Sequence, residues 1–139
     1  DVEFGWRIVK AIGELDIGQT VVVRDGSVMA VEAIDCTDAT IRRGGMLGRE
    51  NTVVVKASKP IQDMRFDMPA VGLETIRTMA EVKASVLTVE AGKTIVFDTE
   101  EMIRIADQHK IVILGVNEGS LGVLEFRRGN RDRRGRKGS

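Results

Sequence analysis

The sequence predicts an α/β fold in which helices flank a mixed β-sheet with at least one β-hairpin. Segments with apolar residues at helical spacing alternate with short runs rich in β-branched residues, an order typical of a sheet covered by helices. Two of these runs, residues 20–24 and 27–33, flank Asp25-Gly26. This dipeptide favours a tight hairpin turn, so the two runs are expected to form neighbouring antiparallel strands.

The predicted helices are four segments with an apolar stripe: residues 4–15, 37–47, 73–81 and 99–109. Phe4 and Trp6 are expected to anchor the first helix in the core. Thr37 and Thr99 are expected to act as N-terminal caps of the second and fourth helices. Asp38 follows Thr37 in the first turn, where the helix dipole favours negative charge.

Four further strands are predicted at residues 52–57, 85–90, 94–98 and 111–116. Gly44 and Gly45 lie inside the second predicted helix, where each costs about 1 kcal/mol relative to alanine. Close packing, a helix end or the approach of a ligand would each explain the two glycines.

Composition places the folded body in a single domain of residues 1–126. The chain has 139 residues and one cysteine, so it is large enough for a core and has no internal disulfide, which suits a reducing cytoplasm. One histidine and one cysteine make a zinc site a poor interpretation. No apolar run reaches the length of a membrane span, and no signal peptide is visible. Because residue 1 is aspartate, we expect the chain to be part of a longer protein.

Residues 127–139 form a basic tail with seven basic residues and one acidic residue, which leaves 14 basic and 20 acidic residues in the body. The tail contains no aliphatic residue and is predicted to be disordered. It could bind RNA or an anionic membrane surface, or simply extend into solvent. Nucleic acid is expected as a partner only through this tail.

The stretch from residue 56 to residue 69, KASKPIQDMRFDMP, combines two lysines, a glutamine, an arginine and two aspartates with apolar residues. At the period of two that strands follow, Asp63, Arg65 and Asp67 point one way and the intervening apolar residues point the other. Pro69 favours an extended conformation for the residue before it. The charged side could be a solvated ladder of ion pairs or part of a binding site.

Carboxylate, lysine, arginine and amide groups suit phosphate chemistry, in which the protein positions water and spreads negative charge, often through Mg²⁺. Asp63 or Asp67 could hold the metal or orient water. In a straight strand these two residues are roughly 13 Å apart and cannot share one ion. A bend in the chain, or a second carboxylate from Asp35 or Asp38, would be needed.

Three segments together resemble a known family: AIDCTDATIRRGG at residues 33–45, KASKPIQDMRFDMPAVG at residues 56–72 and VEAGKT at residues 89–94. The chain resembles the C-terminal domain of UDP-2,3-diacylglucosamine pyrophosphatases of the LpxI type, from about residue 4 to residue 116. The resemblance implies Mg²⁺-dependent hydrolysis of a UDP-linked glycolipid to UMP and 2,3-diacylglucosamine 1-phosphate, in lipid A biosynthesis. It also implies a cytoplasmic enzyme, with peripheral contact at the inner membrane of a Gram-negative bacterium.

The resemblance further implies that the site lies in a cleft between this domain and an N-terminal α/β domain that the chain lacks. Cys36 stands where the family typically has glycine, which could narrow a site for phosphate. For this function the expected catalytic residues are Asp67 and Asp63, and the expected metal ligands are Asp67, Asp63 and Asp38. The expected substrate-binding residues are Lys56, Lys59, Gln62, Arg65, Thr37 and Lys93.

A second hypothesis is a non-catalytic module that binds a nucleotide or phosphosugar, or regulates, without the N-terminal domain. A helix face or an exposed strand edge could also support a homodimer.

Overall fold

The computed structural model describes residues 1–60 and 68–117, together with the backbone of a short strand at residues 123–125. The helices are α1 (Val2–Glu14), α2 (Thr37–Gly48), α3 (Leu73–Glu81) and α4 (Thr99–Gln108). The strands are β1 (Thr20–Arg24), β2 (Ser27–Val31), β3 (Val53–Lys56), β4 (Ala70–Val71), β5 (Val86–Glu90), β6 (Ile95–Val96), β7 (Val112–Val116) and β8 (Val123–Glu125).

Six of these strands form one mixed sheet in the order β2-β1-β3-β5-β7-β8, which confirms the predicted fold class. β3, β5 and β7 are parallel, whereas β1 runs antiparallel to both β2 and β3. The predicted hairpin joins β1 to β2, and Asp25 and Gly26 take the positive φ values of 53° and 74° that its tight turn requires. Strand β8 was not predicted. The strand predicted at residues 94–98 shortens to β6, which pairs with β4 in a separate two-stranded sheet.

The helices cover both faces of the sheet. Helix α1 packs on β1 and β3 around Trp6, which is 5% exposed, so its predicted role as a core anchor is confirmed; Phe4 is partly buried in the same cluster. Helices α2, α3 and α4 bury the opposite face in the larger core, around residues such as Ile41, Ile76 and Met102.

Gly44 and Gly45 allow α2 to pack closely. A Cβ added at Gly44 would lie 2.6 Å from Cβ of Val22 in β1, and one added at Gly45 would lie 2.3 Å from Cγ2 of Val82 after α3. Both distances are too short for carbon atoms in contact. Of the three explanations that the sequence left open, close packing is the one that the structure supports.

The two predicted threonine caps are wrong. Cys36 precedes α2 and Asp98 precedes α4, so Thr37 and Thr99 are the first helical residues, and no cap side chain forms a hydrogen bond at either end. The Thr37 hydroxyl is engaged by a lysine from the sheet instead. Asp98 turns the chain into α4 with a left-handed backbone, a conformation that aspartate tolerates better than threonine.

One edge of the sheet, here called the carboxyl edge, gathers the carboxyl ends of β2, β3 and β5. β2 is parallel to β3 because both are antiparallel to β1, and Thr20 at the start of β1 is in register with Lys56 at the end of β3. The α2 N-terminus follows β2 at this edge. Ligands of open α/β sheets commonly bind at such an edge.

Candidate functional site

Lys56 is a buried lysine at the end of β3, only 8% exposed. Its Nζ donates to Thr37 Oγ1 at 3.0 Å and to the Ala70 carbonyl oxygen at 2.9 Å. The lysine therefore joins the start of α2 to β4 across the carboxyl edge.

Burial lowers the pKa of Lys56, because an ammonium group loses hydration inside the protein. Glu32, Asp38 and Cys36 act against this shift by favouring the charged form. The buried amine thus lies in the field of several acidic groups, an arrangement that is more frequent at functional sites than elsewhere.

The first turn of α2 surrounds this lysine with oxygen atoms. The Thr37 hydroxyl lies 3.4 Å from Glu32 Oε2 and 3.4 Å from Thr20 Oγ1. Asp38 Oδ1 accepts from Thr75 Oγ1 of α3 at 3.4 Å. Because helix N-termini and lysine both attract anions, this turn together with Lys56 can bind a phosphate group.

Glu32 is a residue of this cluster that was not predicted from the sequence. The backbone N–H of Gln19 donates to its Oε1 at 3.2 Å, and this contact places Glu32 beside Thr37. In the sequence, Glu32 is marked only by its acidic side chain near the end of the strand predicted at residues 27–33. Asp35, considered as a second carboxylate for a metal, accepts from Arg43 Nη2 at 2.8 Å and from the Ala33 N–H at 3.1 Å. The hydrogen bond from Arg43 lowers the pKa of Asp35, which keeps it ionised and paired.

A second polar group lies at the same edge on the α1 face of the sheet, centred on Glu90. This carboxylate is 2% exposed, and its Oε1 accepts from the Ser58 N–H at 2.9 Å and from Ser58 Oγ at 2.8 Å. Its Oε2 lies 3.4 Å from Lys10 Nζ and 3.9 Å from Lys93 Nζ. Lys10 also lies 5.3 Å from the centroid of the Trp6 ring.

Lys59 lies just beyond Ser58 and forms an ion pair with Asp16, at 2.9 Å between Nζ and Oδ1. Its side chain is 25% exposed, whereas that of Lys93 is 52% exposed. Both lysines therefore have solvent-accessible charge at the carboxyl edge.

The structure divides the predicted site residues into two groups. Thr37, Asp38 and Lys56 come together on the face covered by α2 and α3. Lys59 and Lys93 contact partners on the other face, around α1 and Glu90. The separation follows from strand geometry, since successive side chains point to opposite faces of a sheet.

The other four predicted site residues, Gln62, Asp63, Arg65 and Asp67, lie outside the described residues, so their roles stay predictions. The described chain on either side of them is anchored at the carboxyl edge, because Lys56 Nζ binds the carbonyl oxygen of Ala70.

Of the predicted metal ligands, Asp38 is the one that lies among the described residues. Within residues 1–60 and 68–117, no three carboxylate, histidine or cysteine side chains cluster so that they could hold a metal ion. Mg²⁺ often binds through only one or two carboxylates and completes its shell with water and substrate phosphates. Asp38, a hard oxygen ligand beside the α2 N-terminus, fits such a set as one member.

Among the helices that the structure describes, none is both long and apolar enough to cross a bilayer.

Two comparisons with known proteins give a match. The family model of the LpxI C-terminal domain matches residues 1–114. The chain is also similar to the UDP-2,3-diacylglucosamine pyrophosphatase LpxI of Caulobacter vibrioides, with 39% identity over 125 residues. This alignment covers 84% of the chain but 45% of the relative, so the chain spans less than half of that protein's length.

Proposed function

The chain belongs to the family of LpxI C-terminal domains, and from this premise we propose that it is the C-terminal part of a UDP-2,3-diacylglucosamine pyrophosphatase. The enzyme would hydrolyse the diphosphate of its substrate to UMP and 2,3-diacylglucosamine 1-phosphate. The second half of its site would come from a further domain, since the matched relative is more than twice as long as the matched region.

The observation that carries this proposal is the buried Lys56 at the end of β3, beside the start of α2. Diphosphate hydrolysis builds negative charge on the phosphoryl oxygens, and a cation held in a water-poor site stabilises that charge more strongly than one in bulk water. Lys56 has this placement, and the α2 N-terminus beside it would add backbone N–H donors for an anion. The Thr37 hydroxyl accepts from the lysine and so orients it.

The remaining roles extend the proposal to the predicted residues. Lys59 and Lys93 would bind the outer phosphate oxygens or the sugar phosphate, with Arg65 and Gln62 assisting. Asp67, or failing that Asp63, would orient the attacking water and share the metal with Asp38. Bound Mg²⁺ would neutralise phosphate charge and lower the pKa of coordinated water.

The test is hydrolysis of UDP-2,3-diacylglucosamine with and without Mg²⁺, using this chain and the full protein encoded by its gene. Lys56→Met is expected to lower kcat/KM by about 100-fold, the cost of losing one preorganised charge partner. The matched control is Lys83→Met, which changes an exposed lysine whose side chain forms no hydrogen bond or ion pair with the described residues. Equal rates for the two variants would contradict the role of Lys56.

A second pair of variants tests the aspartates. In the full protein, Asp67→Ala is expected to abolish hydrolysis while the protein stays folded. Wild-type rates from this variant would remove Asp67 from the mechanism and direct the same test to Asp63.

A second candidate is a domain that binds the substrate without hydrolysing it, which the solvent-accessible charges of Lys59 and Lys93 would also support. In that case the chain would bind a uridine nucleotide, and neither the chain nor the full protein would release UMP.

A location at the cytoplasmic surface of the membrane is proposed with the enzyme, because acyl chains keep the substrate in the bilayer. Flotation with lipid vesicles tests this location.

A further inference from the structure

We infer that Glu90 is a positioning residue of the candidate site, which holds the chain after β3 in register with the turn after β5. The inference rests on the proposed function for its effect on catalysis and on the structure alone for its mechanical part. The chain after β3, residues 57–60, is here called the exit segment. It carries Lys59 and directly follows Lys56.

The carboxylate of Glu90 ties two separate parts of the chain together. Its Oε1 accepts both the backbone N–H and the hydroxyl of Ser58, at 2.9 and 2.8 Å, so it fixes the exit segment at the backbone as well as at a side chain. Charge-assisted hydrogen bonds of this kind are roughly twice as strong as neutral ones. Glu90 and Ser58 are 2% and 6% exposed, so little water competes for these bonds.

The other side of Glu90 organises the turn that carries Lys93. The Glu90 carbonyl oxygen accepts from the Lys93 N–H at 3.2 Å and from Thr94 Oγ1 at 2.8 Å. Its Oε2 lies between Lys10 Nζ and Lys93 Nζ, at 3.4 and 3.9 Å. One residue thus sets the spacing between the two lysine-bearing segments on the α1 face.

The packing around the exit segment leaves it little freedom once Glu90 is in place. The Ala57 N–H donates to the Gln19 carbonyl oxygen at 3.0 Å, and Lys59 pairs with Asp16. A Cβ on Gly13 of α1 would meet Lys59 Cα and Pro60 Cδ at 3.6 Å, an ordinary contact distance, so α1 lies directly against the segment. Of these restraints, the two bonds to Glu90 are the ones in the most buried surroundings.

An alternative is that Glu90 only neutralises Lys10 in the interior. The side chain of Lys10 is 21% exposed, and its Nζ lies over the Trp6 ring. Its distance to the Glu90 carboxylate is 3.4 Å, longer than the two distances from that carboxylate to Ser58. Lys10 is therefore not the main reason for burying this carboxylate. The shorter bonds are those to Ser58. The geometry therefore assigns Glu90 to the exit segment first.

Two variants separate positioning from charge. Glu90→Gln keeps an oxygen that can accept from Ser58 and removes the negative charge, whereas Glu90→Ala removes both. The amide hydrogen exchange of Ser58 is measured in each. We expect its protection to be lost in Glu90→Ala and largely kept in Glu90→Gln. Equal protection in wild type and Glu90→Ala would overturn the inference, whatever the protein catalyses.

The catalytic arm uses the full protein and UDP-2,3-diacylglucosamine. We expect Glu90→Ala to lower kcat/KM by about 100-fold, the effect of a displacement of about 1 Å in a reacting assembly. The kcat/KM of Glu90→Gln is expected to stay near that of wild type. The double variant with Ser58→Ala and Glu90→Ala should lose no more kcat/KM than Glu90→Ala alone, because both changes break the same contact.

Met79→Ala is the control for lost stability. Met79 is fully buried in α3, and its truncation destabilises the fold in the core rather than at the carboxyl edge. Its kcat/KM should match wild type below its melting temperature. Equal losses of kcat/KM in Met79→Ala and Glu90→Ala, or wild-type kcat/KM in Glu90→Ala, would overturn the inference. An inactive wild-type protein would count against the proposed function, while the exchange of Ser58 would still decide whether Glu90 holds the segment.

Discussion

Replacing Gly45 with alanine tests whether the close packing of α2 against the end of α3 requires glycine at this position. In an unconstrained helix this change stabilises by up to about 1 kcal/mol, because glycine is a poor helix former. Here the new Cβ would lie 2.3 Å from Val82 Cγ2 and 2.5 Å from Val82 Cβ. Since a Cβ moves only with its backbone, α2 and α3 would have to separate.

The magnitude follows from these two opposing effects. Overpacking in a close-packed region costs about 1–3 kcal/mol, and contact with a Cβ places Gly45→Ala near the upper end, about 3 kcal/mol. Subtracting the gain in helix propensity of about 1 kcal/mol leaves a net loss of about 2 kcal/mol. For a chain of this size that corresponds to a melting temperature about 8 °C lower.

Gly13→Ala is the matched control. Gly13 is also helical and buried, but a Cβ there would find its nearest neighbours at 3.6 Å, an ordinary contact. This variant should be stabilised by up to about 1 kcal/mol, because only the helix propensity changes. Thermal and urea unfolding of the two variants measure the difference. A Gly45→Ala protein as stable as Gly13→Ala would refute the close-packing explanation.

Three further predictions concern the carboxyl edge. Burial lowers the pKa of Lys56, so between this lowered pKa and the ordinary lysine pKa the unfolded chain binds more protons than the folded chain. The free energy of unfolding should therefore increase with pH over this alkaline range. Lys56→Met should remove that rise in urea unfolding curves measured at increasing pH; an unchanged slope would mean that Lys56 is not its source. Glu90→Ala should lower the free energy of unfolding by about 3 kcal/mol through the loss of two charge-assisted hydrogen bonds, whereas Glu81→Ala, which breaks an exposed pair with Arg42, should cost less than about 1 kcal/mol. Exposed Cys36 should react fully with a thiol reagent in the native protein, and slow reaction that speeds up on unfolding would contradict its exposure.

Local chemistry explains which parts of the fold could be predicted. The Asp25-Gly26 turn and the apolar stripes of the helices are encoded within a few residues, and both were identified correctly. Strands β4 and β6 have two residues each, too few to show a period of two. The errors at Thr37 and Thr99 have a similar origin, since either of two adjacent polar residues can precede a helix and tertiary contacts decide which one does.

The candidate site shows the same division. The residue types in the segments around Thr37 and Lys56 indicated phosphate chemistry, and the structure places these two side chains 3.0 Å apart. Glu32 and Ser58 were missed because nothing in their neighbourhoods along the chain distinguishes them from ordinary polar residues. Glu90 was one polar strand end among several until folding placed it beside Lys10, 80 residues away in the chain.

The amino-acid sequence by itself determined the α/β class, the hairpin and the kinds of side chain available for binding a diphosphate, because propensity, periodicity and turn chemistry act over short stretches of chain. Only the tertiary structure decided which charges are buried, which lie together and which face of the sheet each occupies. Burial and the pairing of charges depend on contacts between distant segments, so they arise only when parallel strands bring their carboxyl ends to one edge.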